Sequence, residues 1–166
     1  MLSAAVLAAM LWYSLRLKRL GLPGNVLAAL LASLPFLYGA WSAGSVTRGL
    51  PLFALAVPLH FAREIAKDLD DAAADAVVRR TIPVVAGLTV ARVACLAPSA
   101  AFALLAIAFF ARRTVPALAL VAASVLCVAL AGWRVAAGLE GAPRLLKGAM
   151  LFAMAAAAAD TVLGGS

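Results

Sequence analysis

The acidic residues of this chain are concentrated in one short stretch, REIAKDLDDAAAD, which runs from Arg63 to Asp75. It holds five of the seven Asp and Glu residues, and four of these are spaced by four, three and four positions: Glu64, Asp68, Asp71 and Asp75. A continuous helix would place these four side chains along one face, where like charges repel. A divalent cation would remove that repulsion. Mg²⁺ suits such a site, because it prefers oxygen ligands and is usually held by one or two carboxylates together with substrate phosphates.

Basic side chains accompany the acidic ones. Arg63 and Lys67 lie within the stretch, and Arg79 and Arg80 follow it closely; such groups bind phosphate oxygens directly. Two other interpretations stay open on these residues alone. One is a charged loop that is only solvated. The other is a calcium-binding EF-hand loop, which matches poorly because DLDDAAAD has no Gly at the sixth position and no Glu at the twelfth.

The rest of the sequence is strongly apolar, with 66% hydrophobic residues, 13% charged residues and a mean hydropathy of +1.08. These values exclude an ordinary soluble domain. The net charge of +7 is spread over the loops, so it predicts orientation in a bilayer and no nucleic acid partner. We expect an all-α, polytopic transmembrane bundle that forms a single membrane domain over residues 1–166.

Apolar runs of a length that suits membrane-spanning helices recur along the chain. The six predicted spans are Leu2 to Leu15, Asn25 to Trp41, Leu50 to about Ile65, Thr89 to Ala111, Pro116 to Ala137 and Arg144 to Leu163. A basic loop, Arg16 to Gly24, follows the first span. Pro83 and Gly87 predict a loop or broken turn before the fourth.

The basic residues predict the orientation of the bundle. The loops after the first, third and fifth spans hold ten of them: Arg16, Lys18, Arg19, Arg63, Lys67, Arg79, Arg80, Arg134, Arg144 and Lys147. The loops after the second and fourth spans hold three: Arg48, Arg112 and Arg113. By the positive-inside rule, the first set is cytoplasmic. The acidic stretch is therefore expected on the cytoplasmic side of the cell (inner) membrane.

Other polar residues give weaker signals. Cys95 and Cys127 lie in apolar runs and are interpreted as buried core residues. His60 is interpreted as packed or interfacial more readily than as lining a cavity. Asn25 either caps the second span or touches a substrate. Asp160 lies in the last span, near the outer surface, and is not expected to be catalytic.

The acidic stretch and the RRTIPVVAG that follows it resemble a known motif. They are similar to the second aspartate-rich motif of the UbiA superfamily of intramembrane prenyltransferases, in which KDxxDxxxD precedes a T-[IL]-P segment and a Gly. The REIxKDxxD form most resembles the digeranylgeranylglyceryl phosphate synthase branch, which makes ether lipids. The segment from Tyr13 to Ala40 is similar to the family's fourth and fifth helices and the basic loop between them.

The resemblance implies roles for individual residues. The catalytic set would be Lys67, Asp68, Asp71 and Asp75, of which Asp68, Asp71 and Asp75 would bind Mg²⁺. The diphosphate of the prenyl donor would be held by Lys18, Arg63, Lys67 and Arg80. Family members have nine helices and a first motif, NDxxDxxxD, which this chain does not contain. The chain then corresponds to helices four to nine, and we expect it to need a missing N-terminal segment for activity.

The function implied by the resemblance is transfer of a prenyl group from a prenyl diphosphate to a lipid precursor, geranylgeranylglyceryl phosphate. The alternatives are an aromatic acceptor, as in quinone synthesis, and an inactive remnant or scaffold with the same fold. A transporter is a further class, but it would carry charges at midplane depth, and the second, fourth and fifth predicted spans carry essentially none.

Overall fold

The computed structural model describes residues 21–77 and 79–163, and all the regular elements in these ranges are helical. The α-helices are α1 (Leu22–Ser42), α2 (Leu50–Asp70), α3 (Ala72–Asp75), α4 (Ile82–Ala86), α5 (Leu88–Phe110), α6 (Val115–Ala137) and α7 (Ala142–Leu163). A 3-10 turn, Val46–Gly49, leads from α1 into α2. The predicted all-α membrane bundle is confirmed. The first predicted span and Lys18 lie outside the described ranges.

Five of these helices are long and apolar enough to cross a membrane: α1, α5, α6, α7, and α2 together with the 3-10 turn. They match the second to sixth predicted spans, and most ends agree within about three residues. The main difference is the end of α2, which lies at Asp70 and not near Ile65. Ile65 and Ala66 are both fully buried, so this turn packs inside the bundle and the helix continues.

The segment between α3 and α5 also differs from the prediction. Pro83 and Gly87 predict a loop or broken turn, and the structure contains the short helix α4, which includes Pro83 and ends just before Gly87. Pro83 lies in the first turn of α4, where its missing N–H has no helical partner to lose. Gly87 follows the last residue of α4 with φ of 87°. The expected break in the chain is therefore found at Gly87, and Pro83 starts a helix.

Helix α2 is the centre of the bundle, since it contacts α1, α5 and α7. Its buried face is built from Leu59, Ala62 and Ile65. Small residues let the helices approach closely, as expected where lipid removes any hydrophobic drive between helices. Cys95 on α5 illustrates this packing: it is buried, as predicted, and its Sγ donates to the Ala62 carbonyl oxygen at 3.4 Å. Cys127 is half-buried beside the same core.

The bundle has two chemically different ends. One, which we call the motif end, combines the start of α1, the end of α2, the start of α5 and the turn between α6 and α7. Eight of the described basic residues lie toward it: Arg63, Lys67, Arg79, Arg80, Arg92, Arg134, Arg144 and Lys147. Three lie toward the opposite end: Arg48, Arg112 and Arg113. The basic residues are therefore distributed unevenly between the two ends of the bundle, and the predicted orientation depends on this asymmetry.

Asp160 lies at the end opposite the motif, as predicted. Its Oδ2 is 3.2 Å from a terminal nitrogen of Arg113, and its Oδ1 accepts a hydrogen bond from the Thr114 backbone N–H at 3.3 Å. The Arg113 guanidinium also lies over the Phe109 ring, 5.1 Å from its centroid. These contacts connect the turn between α5 and α6 to α7, so Asp160 has a structural role.

Candidate functional site

The acidic residues occupy a helix that ends and restarts. Helix α2 ends at Asp70, Asp71 lies between the two helices with φ of −91° and ψ of 2°, and α3 ends at Asp75. The predicted stripe of four carboxylates on one continuous helix is therefore wrong beyond Asp68. Asp71, at the break, is exposed, whereas Asp75 at the end of α3 is buried. Each carboxylate consequently has its own surroundings.

Asp68 is fixed by a neighbour from another helix. The Asn25 side-chain amide donates to Asp68 Oδ2 at 2.7 Å, and Asn25 itself is only 7% exposed. This bond connects the first turn of α1 to the last turn of α2. Asn25 lies inside α1, which starts at Leu22, so its predicted role as a helix cap is wrong. Its predicted contact with a substrate stays a prediction. Asp68 is thus oriented by a neutral donor.

Asp71 and Asp75 differ sharply in exposure. Asp71 is exposed, whereas Asp75 is only 6% exposed. Oδ1 of Asp75 lies 3.5 Å from a terminal nitrogen of Arg79, and its Oδ2 is buried without a hydrogen-bond partner. An unpartnered buried carboxylate oxygen is costly in free energy. It therefore marks Asp75 as a ready ligand for a cation or a donor.

These carboxylates can be tested against the needs of Mg²⁺. Within the described ranges, no group of three or more His, Cys, Asp or Glu side chains is arranged to hold a metal ion. Mg²⁺ does not require such a group, because one or two carboxylates with substrate phosphates and waters suffice. The free Oδ2 of Asp75 and the exposed carboxylate of Asp71 meet that lower requirement. The residues present therefore fit a substrate-completed Mg²⁺ site.

Two of the basic residues expected to bind diphosphate are held by the same carboxylate. A terminal nitrogen of Arg63 lies 2.9 Å from Glu64 Oε1, and Lys67 Nζ lies 3.1 Å from Glu64 Oε2. The Lys67 side chain is 41% exposed, so it can exchange this partner for a phosphate. Arg80 is exposed and makes no side-chain hydrogen bond or ion pair with any described residue.

Three residues at the motif end are not predicted from the sequence. Asp70 Oδ2 accepts a hydrogen bond from the Gly141 backbone N–H at 3.0 Å. Arg92 lies in the second turn of α5, with its guanidinium against Gly138, which has φ of 70°. Thr81 is 3% exposed and its hydroxyl has no hydrogen-bond partner. Two of them carry a sequence signal: Arg92 is the one charged residue within the fourth predicted span, and Asp70 belongs to the acidic stretch.

Two open grooves border the acidic segment. The larger, about 550 Å³, lies between the residues that end α2, the start of α4 and the α6–α7 turn, and its charged lining residues are Asp70 and Glu140. The smaller, about 460 Å³, is lined by Arg79 and Arg80 beside valines that include Val85. The site therefore opens on both an acidic and a basic surface.

Known proteins resemble this chain in sequence. The sequence profile of the UbiA prenyltransferase family matches residues 1–155. A digeranylgeranylglyceryl phosphate synthase from Halobacterium salinarum (strain ATCC 29341 / DSM 671 / R1) is 44% identical over 87 residues, which cover 52% of this chain and 32% of that protein. A protein of the same name from Methanoculleus marisnigri (strain ATCC 35101 / DSM 1498 / JR1) is 40% identical over 79 residues, which cover 46% of this chain and 28% of that protein.

The chain thus spans about a third of the length of the relatives that it matches. No solved structure matches it. The family match, by contrast, covers all but the last residues of the sequence and includes the whole acidic segment. On this match, the chain belongs to the UbiA prenyltransferase family.

Proposed function

We propose that the chain provides the second aspartate motif of a membrane prenyltransferase, which transfers a prenyl group from a prenyl diphosphate to geranylgeranylglyceryl phosphate. The observation that carries the proposal is the state of the carboxylates at the motif end. Asp68 is oriented by Asn25, Asp71 is exposed, and Asp75 presents a buried, unpartnered oxygen. The name shared by the two relatives supports the choice of acceptor.

The reaction breaks the allylic C–O bond of the donor, releases pyrophosphate and joins the prenyl carbon to an acceptor hydroxyl oxygen, which loses its proton. Charge develops on the departing pyrophosphate, so the site must stabilise an anion. Bound Mg²⁺, held by one or two of the carboxylates of Asp68, Asp71 and Asp75 together with substrate phosphates, would supply positive charge against that anion. Asp75 contributes its free Oδ2, and Asp68 is held ready by its bond to Asn25.

The basic residues of the chain would bind the diphosphate directly. Lys67 leaves Glu64 to contact a phosphate oxygen, and Arg63 stays on Glu64 and keeps that carboxylate neutralised. Arg80 presents an exposed guanidinium to the same anion. Lys18, which precedes α1 in the sequence, completes the proposed set. The apolar helices would surround the prenyl chain and exclude water, which would otherwise capture the allylic cation.

We place the acidic segment on the cytoplasmic side of the cell membrane. The support is the excess of basic residues toward the motif end, eight against three in the described part of the chain. Activity would further require a first aspartate motif from another segment, because the family clamps the diphosphate between two such motifs and this sequence contains one.

An assay of acceptor choice tests the proposal. The portion of the Halobacterium salinarum relative that precedes its aligned segment can be joined to this chain to supply a first motif. With Mg²⁺ and geranylgeranyl diphosphate, we expect the chimera to prenylate geranylgeranylglyceryl phosphate and not 4-hydroxybenzoate. The Asp71→Ala chimera is the matched control. Product from the aromatic acid alone would indicate a quinone-type enzyme, and a correctly inserted chimera without any product would indicate an inactive remnant.

A further inference from the structure

The end of α2 is fastened to the bundle on two sides. On one side, Asn25 of α1 donates to Asp68. On the other, the Gly141 backbone N–H donates to Asp70 Oδ2 at 3.0 Å, across 71 residues of sequence. Gly141 immediately precedes α7. The last turn of α2, which leads directly into Asp71, is thus held between the first turns of α1 and α7.

The α6–α7 turn is shaped to present this N–H. Gly141 has φ of 93°, a backbone conformation that residues with a side chain rarely adopt. The turn is further held by Arg134, whose Nε donates to the Glu140 carbonyl oxygen at 2.6 Å, and by the Leu139 N–H, which donates to the Arg134 carbonyl at 2.8 Å. The partner of Asp70 is therefore a fixed backbone group on a well-anchored turn.

We infer that Asp70 is a positioning residue: through Gly141 it fastens the motif to the start of α7, and it does not bind the metal. Asp68, two positions before it, and Asp71, directly after it, are among the proposed ligands, so the bond from Asp70 fixes where these two carboxylates lie. One of the two oxygens of Asp70 is already used by Gly141. Asp70 would therefore have a different role from the other aspartates of the acidic stretch.

Asp70→Asn and Asp70→Ala separate the two possible tasks. Asparagine keeps a side-chain oxygen that can accept the Gly141 N–H, but it is a much poorer metal ligand than aspartate. Alanine removes both abilities. If Asp70 positions the motif, the asparagine variant still positions it through the Gly141 N–H, and the alanine variant does not. If Asp70 binds metal, both substitutions are damaging. Asp71→Ala is the control, since this adjacent carboxylate is exposed and makes no side-chain bond to a described residue.

Amide hydrogen exchange on the full chain in detergent, read at single residues, tests the inference without any need for enzymatic activity. The amides to follow are those of Gly141 and of Asp71, which donates to the Lys67 carbonyl at 2.9 Å. In Asp70→Ala we expect both amides to exchange about tenfold faster, the effect of losing one hydrogen bond. Asp70→Asn should leave both slow, and Asp71→Ala should leave Gly141 slow. Unchanged exchange at the two amides in Asp70→Ala would overturn the inference.

A second measurement separates positioning from metal binding, and it rests on the proposed function. Electron paramagnetic resonance can follow Mn²⁺ binding in the presence of geranylgeranyl thiolodiphosphate, an analogue that reacts slowly. We expect Asp70→Asn to bind Mn²⁺ within about threefold of the unchanged chain, and Asp70→Ala to bind about tenfold more weakly. Loss of binding in Asp70→Asn while Gly141 stays protected would make Asp70 a ligand and overturn the inference. No binding by the unchanged chain would contradict the proposed function, and the exchange data would still decide whether Asp70 positions the motif.

Discussion

The side-chain amide of Asn25 lies 2.7 Å from Asp68 Oδ2, and this bond joins residues that are 43 positions apart. A neutral donor orients the carboxylate without adding a positive charge beside it. The opposite arrangement occurs nearby, where Arg63 and Lys67 both contact Glu64. Glu64 is thereby paired with two basic side chains, whereas Asn25 orients Asp68 without adding such a partner. The two acidic residues are one helical turn apart, and their partners give them different chemistry.

The first prediction concerns this bond. Asn25→Ala removes the donor and leaves a half-buried carboxylate with one partner fewer, so the free energy of unfolding should fall by about 1–3 kcal/mol. Chemical denaturation in detergent measures the change. Ser42→Ala is a matched control on the same helix, because the Ser42 hydroxyl bonds only to the Tyr38 carbonyl of α1 itself. Equal stability of the two variants would show that the Asn25–Asp68 bond contributes nothing.

The second prediction concerns Gly21, just before α1. This glycine has φ of 60°, and a Cβ built on it would collide with the Arg80 carbonyl oxygen. Gly21→Ala should therefore destabilise the protein by about 1–3 kcal/mol from the backbone conformation alone, and should separate α1 from the motif. Gly39→Ala is the control, since a Cβ there meets nothing within 4 Å and alanine favours a helix by up to about 1 kcal/mol. Thermal unfolding in detergent should shift in opposite directions for the two variants.

The third prediction concerns the far end of the bundle. Asp160→Asn keeps an acceptor for the Thr114 N–H but removes the ion pair with Arg113, so we expect a loss of about 1 kcal/mol in unfolding free energy. Binding of Mn²⁺ and the diphosphate analogue should be unaffected, because Asp160 lies at the end opposite the motif. Arg112→Ala controls for charge, since Arg112 makes no side-chain bond to a described residue. Weaker Mn²⁺ binding in Asp160→Asn would contradict the structural role.

The helices of this protein are largely predictable from sequence, because bilayer thickness fixes the length of an apolar span. The exception is the end of α2. The charged residues from Arg63 to Asp70 look like the start of a solvated loop, yet α2 continues through them. Their spacing leaves Ile65 and Ala66 on the buried face, and contact with α7 completes the packing. Tertiary packing extends the helix beyond the point that local composition indicates.

The acidic site is predictable in its residue types and not in its connections. Carboxylates grouped within thirteen positions can be recognised as a site in the sequence, because like charges at that spacing repel each other. Their partners cannot be recognised in this way, since Asn25 and Gly141 are 43 and 71 residues away from the carboxylates that they bind. Such pairs depend on which helices become neighbours. The helix break at Asp71 is hidden for the same reason, because AAAD has the composition of a continuing helix.

The fourth prediction concerns turnover in the two-motif chimera. Asp71→Ala and Asp75→Ala should each reduce the rate of prenyl transfer by a factor of about 100 or more, as loss of groups that stabilise a developing anion does. Product formation with geranylgeranyl diphosphate measures the rate. Asp71→Ala should leave membrane insertion unchanged, because Asp71 is exposed. Near-normal rates in both variants would remove these residues from the metal site, and loss of membrane expression in Asp71→Ala would indicate a structural role instead.

The fifth prediction is that these 166 residues alone insert into a membrane but do not catalyse transfer. Helix contacts in a bilayer come mainly from small residues, and buried alanines such as Ala62, Ala149 and Ala156 supply them here. A single acidic segment, however, leaves much of the diphosphate charge unshielded, since the mechanism that we propose requires two motifs as a clamp. The purified chain, given Mg²⁺, prenyl diphosphate and a panel of acceptors, should release no pyrophosphate above background. Sustained release that disappears in Asp71→Ala would show that one motif suffices and that the proposed two-motif mechanism is wrong.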